Sequence, residues 1–257
     1  MMFRPRIICF ICNWSLPAGV DVASPTTIHA YPKIHVVQVM CVGRVDPAVV
    51  LGTFAKGADG VLVIGCHPPD CHYIYGNLQA ERKVKMLKKL LSLTGLEQER
   101  LRLDWAYAYE IERFPKIIDD FRNLVIALGP SPLAEEKADS NILLNIKAAK
   151  AAAEDFRLRV LVGRERELTE KENMFGEKIS QKEFDVLLHE VVEAEFIRHK
   201  IHLLTKEKPM SVKEIAAIVN MKPALVLRHI VNMRRKGMIA LDHVDRTTLL
   251  YKALEVQ

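Results

Sequence analysis

The sequence predicts an α/β protein: a parallel sheet with flanking helices, then a helical linker, then a smaller C-terminal unit of helices and a hairpin. Three observations carry this expectation. Apolar, β-prone runs over 6–12, 35–41 and 60–66 alternate with helical patterns, and strands alternating with helices imply a parallel sheet covered on both faces. All five cysteines, Cys9, Cys12, Cys41, Cys66 and Cys71, lie in the first 71 of 257 residues. The net charge of +5 sits entirely in the last quarter. From Val191 onward there are 12 Lys and Arg against 7 Asp and Glu, which leaves 25 of each sign, out of 37 and 32, before it.

Each of the three runs is apolar throughout, as in a strand buried on both faces. Between the second and third lies a helix over 47–56, with Asp46 as N-cap, Pro47 at the first position and Gly57 as the stop. After the third, 78–93 places Val84, Leu87, Leu90 and Leu91 on one stripe and Arg82, Lys83, Lys85, Lys88 and Lys89 mostly opposite. A fourth strand over 101–108 leads into a helix over 111–128. The run G-P-S-P at 129–132 then breaks the alternation and marks a boundary. An Ala- and Lys-rich helix over 133–156 serves as a connector, and the stretch up to Gln181 stays ambiguous.

Helical signals return from Lys182. The pattern over 184–204 fits one long helix or two shorter ones, Ser211 caps 212–219, and Pro223 opens 224–236, which stops at Gly237. Two β-prone runs, 238–243 and 248–253, flank a polar turn at 244–247. Three helices followed by a hairpin are the winged-helix arrangement, a helix-turn-helix variant. The expected division is therefore 1–130, 131–181 and 182–257.

No apolar run approaches the roughly 18 residues that span a bilayer, so membrane insertion is not expected. Arg4 and Arg6 before the apolar stretch 7–11 imitate a secretion signal, but no small-residue cleavage site follows, and the stretch reads as a buried first strand. An odd cysteine count in a long, unsecreted chain argues against a disulfide framework. The expectation is a cytoplasmic protein whose cysteines share a ligand. No Ser-His-Asp set, phosphate loop or dinucleotide fingerprint appears, so this chain is not expected to perform substrate chemistry itself.

Cys12, Cys41 and Cys66 each fall at the carboxyl end of an expected strand, and Cys71 lies in the loop after the third. In an open parallel sheet those ends lie side by side along the edge where ligands bind. Any one of these cysteines alone would read as a small buried hydrophobe; four at one edge read as a site. Their spacing, C-x28-C-x24-C-x4-C, is not the two close pairs of a zinc ribbon. Four soft thiolates suit an iron–sulfur cluster or zinc. Gly43, Gly65 and Gly76, which leave backbone amides free to approach sulfide, lean toward iron and sulfur. His67 and His72 raise the thought of a Rieske centre, which would leave two cysteines unused. With Asn13, Trp14 and Arg44 they are instead expected to surround the site, as hydrogen-bond donors or packing.

The blocks C-N-W at 12–14, V-M-C-V-G-R-V-D at 39–46, G-A-D-G-V-L-V-I-G-C-H at 57–67 and D-C-H-Y at 70–73 carry a resemblance. Together with G-N at 76–77, A-E-R at 80–82 and R-L-R-L at 100–103, they resemble the delta subunit of methyl-viologen-reducing hydrogenase over roughly residues 6–125. The resemblance implies a [2Fe–2S] cluster and docking on the flavoprotein subunit of heterodisulfide reductase. There the family delivers electrons from a hydrogenase, a formate dehydrogenase or an NADH-oxidising module toward flavin-based bifurcation. One position departs from it. The family usually reads C-N-W-C, and here Ser15 stands at the second cysteine. Cys12, Cys41, Cys66 and Cys71 remain as a complete set of four; if the missing cysteine is a family ligand, Cys9 or Ser15 must substitute. Cys9, three residues before Cys12, falls on the opposite face of an extended strand and is expected in the core.

On or beside the helix over 224–236, Lys222, Arg228, His229, Asn232, Arg234, Arg235 and Lys236 lie where a winged helix meets a major groove. Alone, this reads as an iron–sulfur redox-sensing DNA-binding regulator, or as a merely solvated helix face. The third reading is protein docking, with Arg228, Arg234 and Arg235 against an acidic subunit. Extended forms of the delta subunit resemble this chain through N-M-F-G-E at 173–177 and the helices after it, and phosphate binding gathers a denser basic stripe. Docking is therefore preferred. The expected function is one-electron relay by a non-catalytic subunit of an oxidoreductase complex.

Overall fold

A computed structural model describes residues 3–16, 34–134 and 138–255. Residues 17–33, in the expected first unit, and 135–137, in the expected connecting helix, lie outside the described residues.

Four strands, β1 (Ile7–Cys12), β2 (Ile34–Val39), β3 (Gly60–Gly65) and β4 (Leu101–Trp105), form a sheet in the order β2-β1-β3-β4. Every neighbouring pair is parallel, as the alternation of strands and helices predicts. Side chains alternate across the sheet. Ile7, Cys9 and Ile11, with Leu62 and Ile64, pack against Phe114, Ile117, Ile118, Phe121 and Val125 of helix α3 (Arg113–Leu128). Phe10, Cys12, Val61 and Val63 face the other way, toward helices α1 (Pro47–Ala55) and α2 (Gly76–Ser92). The expectation that all three apolar runs are buried on both faces fails for β2. It is an edge strand among the described residues, and His35, Val37 and Gln38 are exposed.

Local chemistry places these elements. Asp46 Oδ1 accepts from Ala48 N at 2.9 Å and Pro47 opens α1, so the first orphan donors of the helix are satisfied or absent. Gly57 closes the turn at φ +82°, a conformation open to glycine without a Cβ clash. Arg100 is charged yet buried, and its guanidinium donates to the carbonyls of Asp59 and Gly129 at 3.0 Å and to Glu97 at 2.7 Å. It ties the end of α3 to the start of β3.

The stretch after Gly129 holds three helices, α4 (Ser140–Glu154), α5 (Phe156–Gly163) and α6 (Glu165–Glu170). Asp155 ends the first and caps the next, its side chain accepting from Arg157 N. Ala148, Ala149, Ala152 and Ala153 are fully buried. They lie on one face because residues four apart share a face, and small side chains at a contact let helices approach closely. The main core runs on through them to Phe184, Leu188, Val191, Val192 and Phe196 of α7 (Gln181–Glu207).

Helix α7 is one helix of 27 residues, opened by a capping box between Ser180 and Glu183. After it come β5 (Met210–Ser211), α8 (Val212–Val219), α9 (Pro223–Arg235), β6 (Ile239–Asp245) and β7 (Thr248–Ala253). These strands make an antiparallel sheet in the order β5-β7-β6. The hairpin turn is two residues, Arg246 and Thr247, rather than the expected four, because β6 continues to Asp245. A separate core of Ile201, Ile215, Val226, Ile230, Met233 and Tyr251 holds this part together.

Candidate metal centre

Strand register brings the cysteines to one edge. Cys12 ends β1, Cys66 follows the last residue of the adjacent β3, and Cys41 lies two residues past the end of β2. Cys12 Sγ stands 3.7 Å from Cys66 Sγ and 3.4 Å from the Met40 carbonyl oxygen. Asn77 Nδ2 donates to the Cys66 carbonyl at 3.3 Å and fixes the backbone there. Ser15 is fully buried, its N–H donates to the Cys12 carbonyl at 2.9 Å, and its hydroxyl donates to Cys66 Sγ at 3.7 Å.

Cys41 and Cys71 meet on the other side, against Gly76. A Cβ at position 76 would overlap Cys41 Sγ and crowd Cys71 Sγ at 3.2 Å. A Cβ at Gly43 would in turn overlap the Gly76 backbone. The two glycines expected to make room for sulfur therefore do so by letting backbone lie against backbone and thiols against Cα. Gly65 serves packing instead, since a Cβ there would press on Trp105 and Val42 at 2.8 Å.

Electrostatics separates the thiols. Cys12 is raised well above the ordinary thiol value, first by its hydrogen bond with Cys66 and then by burial. Cys66 is lowered by the same bond, with burial opposing and Ser15 helping. Burial raises Cys41. Backbone amides of Trp14, Gly43 and His72 act on the thiols of Cys12, Cys41 and Cys66 respectively, each in the direction of the thiolate. Cys9 lies on the other face of the sheet, pushed up to about 12 by burial alone.

The surrounding residues are placed as follows. Trp14 stacks on His72 at 3.5 Å, and His67 stacks on Tyr107 at 4.4 Å while its Nε2 meets Glu110 at 3.1 Å. Asn13 is exposed and donates its backbone N–H to Val39. Arg44 lines a cavity of about 250 Å³ with Asp46, Lys83 and Arg159. Arg228, Arg234 and Arg235 are exposed on α9, far along the chain in the C-terminal unit. Sequence reasoning missed the bond from Ser15 to Cys66 and the Asn77 clamp. A Gly-Asn pair at the start of α2 was the available signal for the clamp.

A second titratable cluster was also missed. Asp155, Glu195 and His199 bring their ligand atoms within 4.8 Å of one another. Lys236 lies 3.8 Å from Asp155 and 3.5 Å from Glu195, Arg198 lies 2.5 Å from Glu195, and Arg157 lies 3.4 Å from Glu195. With three cations on two carboxylates, a divalent ion would meet repulsion. This is an ion-pair knot joining α5, α7 and the end of α9.

A parallel sheet that gathers four thiols and close glycines at its carboxyl edge defines an α/β protein with a cysteine cluster at the strand ends. Within that class the chain belongs to the methyl-viologen-reducing hydrogenase delta subunit family, whose description (FlpD: methyl-viologen-reducing hydrogenase, delta subunit) matches residues 7–129. It is 41% identical over 133 residues to an iron-sulfur subunit of the vhc F420-non-reducing hydrogenase of Methanococcus voltae, covering 52% of this chain and 92% of that one. The corresponding iron-sulfur subunit of the Archaeoglobus profundus F420-non-reducing hydrogenase is 41% identical over 128 residues, or 50% and 93% of the two chains. A third relative belongs to the ferredoxin:CoB-CoM heterodisulfide reductase of Methanosarcina mazei. That polypeptide is 40% identical over 126 residues, 49% of this chain and 16% of the relative.

Proposed function

We propose that this chain is an electron-transfer subunit holding a [2Fe–2S] cluster on Cys12, Cys41, Cys66 and Cys71. It relays single electrons between a donor module and the flavoprotein subunit of a heterodisulfide-reductase-type, electron-bifurcating complex in the cytoplasm. The donor is a hydrogenase, a formate dehydrogenase or an NADH-oxidising module. Names of relatives support the iron–sulfur part: two are iron-sulfur subunits of hydrogenases, and one is part of a heterodisulfide reductase.

The observation that carries the two-iron reading is the pairing of the sulfurs. Two thiolates on one tetrahedral metal, at a metal–sulfur distance of about 2.3 Å, stand about 3.8 Å apart. Cys12 and Cys66 stand at 3.7 Å, and Cys41 and Cys71 form a second pair against Gly76. A single zinc would need every sulfur within that distance of every other. Among the described residues no three cysteine sulfurs lie within 4.8 Å of one another. Two pairs suit two irons. When bound, the group supplies a one-electron couple; the chain supplies the amide donors and the Ser15 hydroxyl that favour the more negative state.

We read residues 182–257 as a winged helix that docks protein. Helix α9 exposes Leu225, Leu227 and Val231 beside Arg228, and Lys236 is already engaged by Asp155 and Glu195. An apolar face interleaved with arginine fits a protein surface better than a phosphate backbone. The division into 1–130, 131–181 and 182–257 belongs to this reading, with the docking unit's boundary best sought in α7, where one core gives way to the next.

Anaerobically purified protein should carry two irons and two acid-labile sulfides per chain. Stoichiometric zinc without iron would sink the proposal.

A further inference from the structure

This inference rests on the reading of the cysteine site as a one-electron centre and deepens it at one residue, Lys83. Helical periodicity sets Lys83 among the outward lysines of α2, yet it is half-buried and turned toward the loop that follows β2. Its Nζ donates to the Gly43 carbonyl at 2.6 Å and to the Val45 carbonyl at 3.3 Å. Gly43 belongs to a single helical turn, Val42–Arg44; Val45 ends that turn and Cys41 is its N-cap. Arg44 N–H donates back to the Cys41 carbonyl at 3.0 Å. What holds this turn therefore holds Cys41.

Helix α2 grips the turn at two points. A Cβ at Gly76 would overlap Cys41 Sγ, and one at Gly43 would overlap the Gly76 backbone, so helix and turn lie in close contact there. Lys83 comes seven residues after Gly76, and residues seven apart on a helix share a face. Gly76 thus gives close approach, and Lys83 ties the carbonyls of the same short segment from two turns further along.

The charge of Lys83 is not spent on a carboxylate. Lys85, its neighbour on α2, pairs with Asp185, whereas the partners found for Lys83 among the described residues are the two carbonyls. Asp46 lines the same cavity as Lys83 but is held through both oxygens by Arg159 at 2.9 Å. Burial pulls the Lys83 pKa below the ordinary lysine value, which is the cost of keeping an ammonium here. Two hydrogen bonds alone would be met by a neutral donor at less cost.

We propose that Lys83 is a positioning residue of the cysteine site: it fixes the turn that carries Cys41 and keeps a positive charge beside it that makes the site easier to reduce. Reduction adds one negative charge, and a nearby cation in partly buried surroundings favours the more negative state.

The test uses the full-length, iron-loaded chain. Lys83→Met keeps the aliphatic stem and removes both donor and charge. It should shift the reduction equilibrium about tenfold toward the oxidised state, a fall of about 59 mV for a one-electron couple, read by EPR-monitored titration. The amides of Arg44 and Val45 should exchange faster in that variant, because their turn opens more often. Lys83→Arg, which keeps the charge, should return the potential to within about twofold of wild type on the same scale. An unchanged potential in Lys83→Met, equal falls in Lys83→Met and Lys83→Arg, or unchanged exchange overturns the proposal and leaves the redox reading standing. If Lys83→Met loses its iron, Lys83→Gln decides: it keeps a donor without the charge, and a wild-type potential there overturns the proposal. A wild-type chain without iron overturns the redox reading instead, and amide exchange then decides alone whether Lys83 holds the turn.

Discussion

Ser15 occupies a position from which its hydroxyl reaches Cys66 Sγ. Removing it should leave the four thiols in place and take one donor from the most thiolate-like of them. A bond to sulfur that strengthens by about 1 kcal/mol on reduction corresponds to about 43 mV for a one-electron couple. Ser15→Ala should therefore retain its iron and lower the potential by about that amount, read by an EPR-monitored redox titration. Loss of iron would instead make the serine oxygen a ligand. The convergence of Cys12, Cys41 and Cys66 was legible because strand ends in a parallel sheet must lie together. The burial of Cys9 on the opposite face was legible from the two-residue alternation of a strand. The reach of Ser15 was not, because it depends on the tight turn after β1, which no local pattern specifies.

The element boundaries that were read well are those with strong punctuation. Helix α8 follows Ser211 and ends at the left-handed Asn220, and α9 runs from Pro223 to just before Gly237. Strand β5 escaped notice because two residues carry no period, and the break between α4 and α5 escaped because Asp155 looks like any solvent-facing residue of a long helix. Asp155 is held down to about 2; burial opposes its ionisation but is outweighed by the His199 bond, Lys236 and the Arg157 amide. Its folded value lies below the ordinary aspartate value of 3.8, so the stabilisation is fully present above about pH 4. It fades as pH falls toward 2, where the folded carboxylate takes up its proton. Asp155→Asn keeps a side chain able to cap α5 but removes the charge. It should cost about 2 kcal/mol at pH 7 and much less near pH 2, measured by urea unfolding at both. An equal cost at the two pH values would mean that the ion-pair knot contributes nothing.

Across the whole molecule, the coarse plan of sheet first and helices with a hairpin last follows from patterning. What the sequence hid is that the alanine-rich stretch is core. Its small residues read as a polar-flanked connector, since alanine marks burial weakly, yet they seat α4 in the main core. Among the described residues no helix is long and apolar enough to cross a membrane. Helix α7 has one end in the main core as far as Phe196 and the other in the C-terminal core from Ile201. It therefore works as a phase-keeping shaft, in which residue count is angle. Each residue turns a helix by about 100° and advances it by about 1.5 Å. One alanine inserted between Lys200 and Ile201 should swing α9 about a third of a turn around that axis. Glu195 and His199 would stay behind while Lys236 leaves them, with a loss of both unfolding stability and partner affinity. Seven inserted residues, two turns to within about 20°, should restore the bearing of α9 while carrying it about 10 Å further out. A seven-residue insertion that loses no more stability than the single one would fit that geometry, and the reverse order would mean that distance, not bearing, sets how this protein presents its C-terminal face.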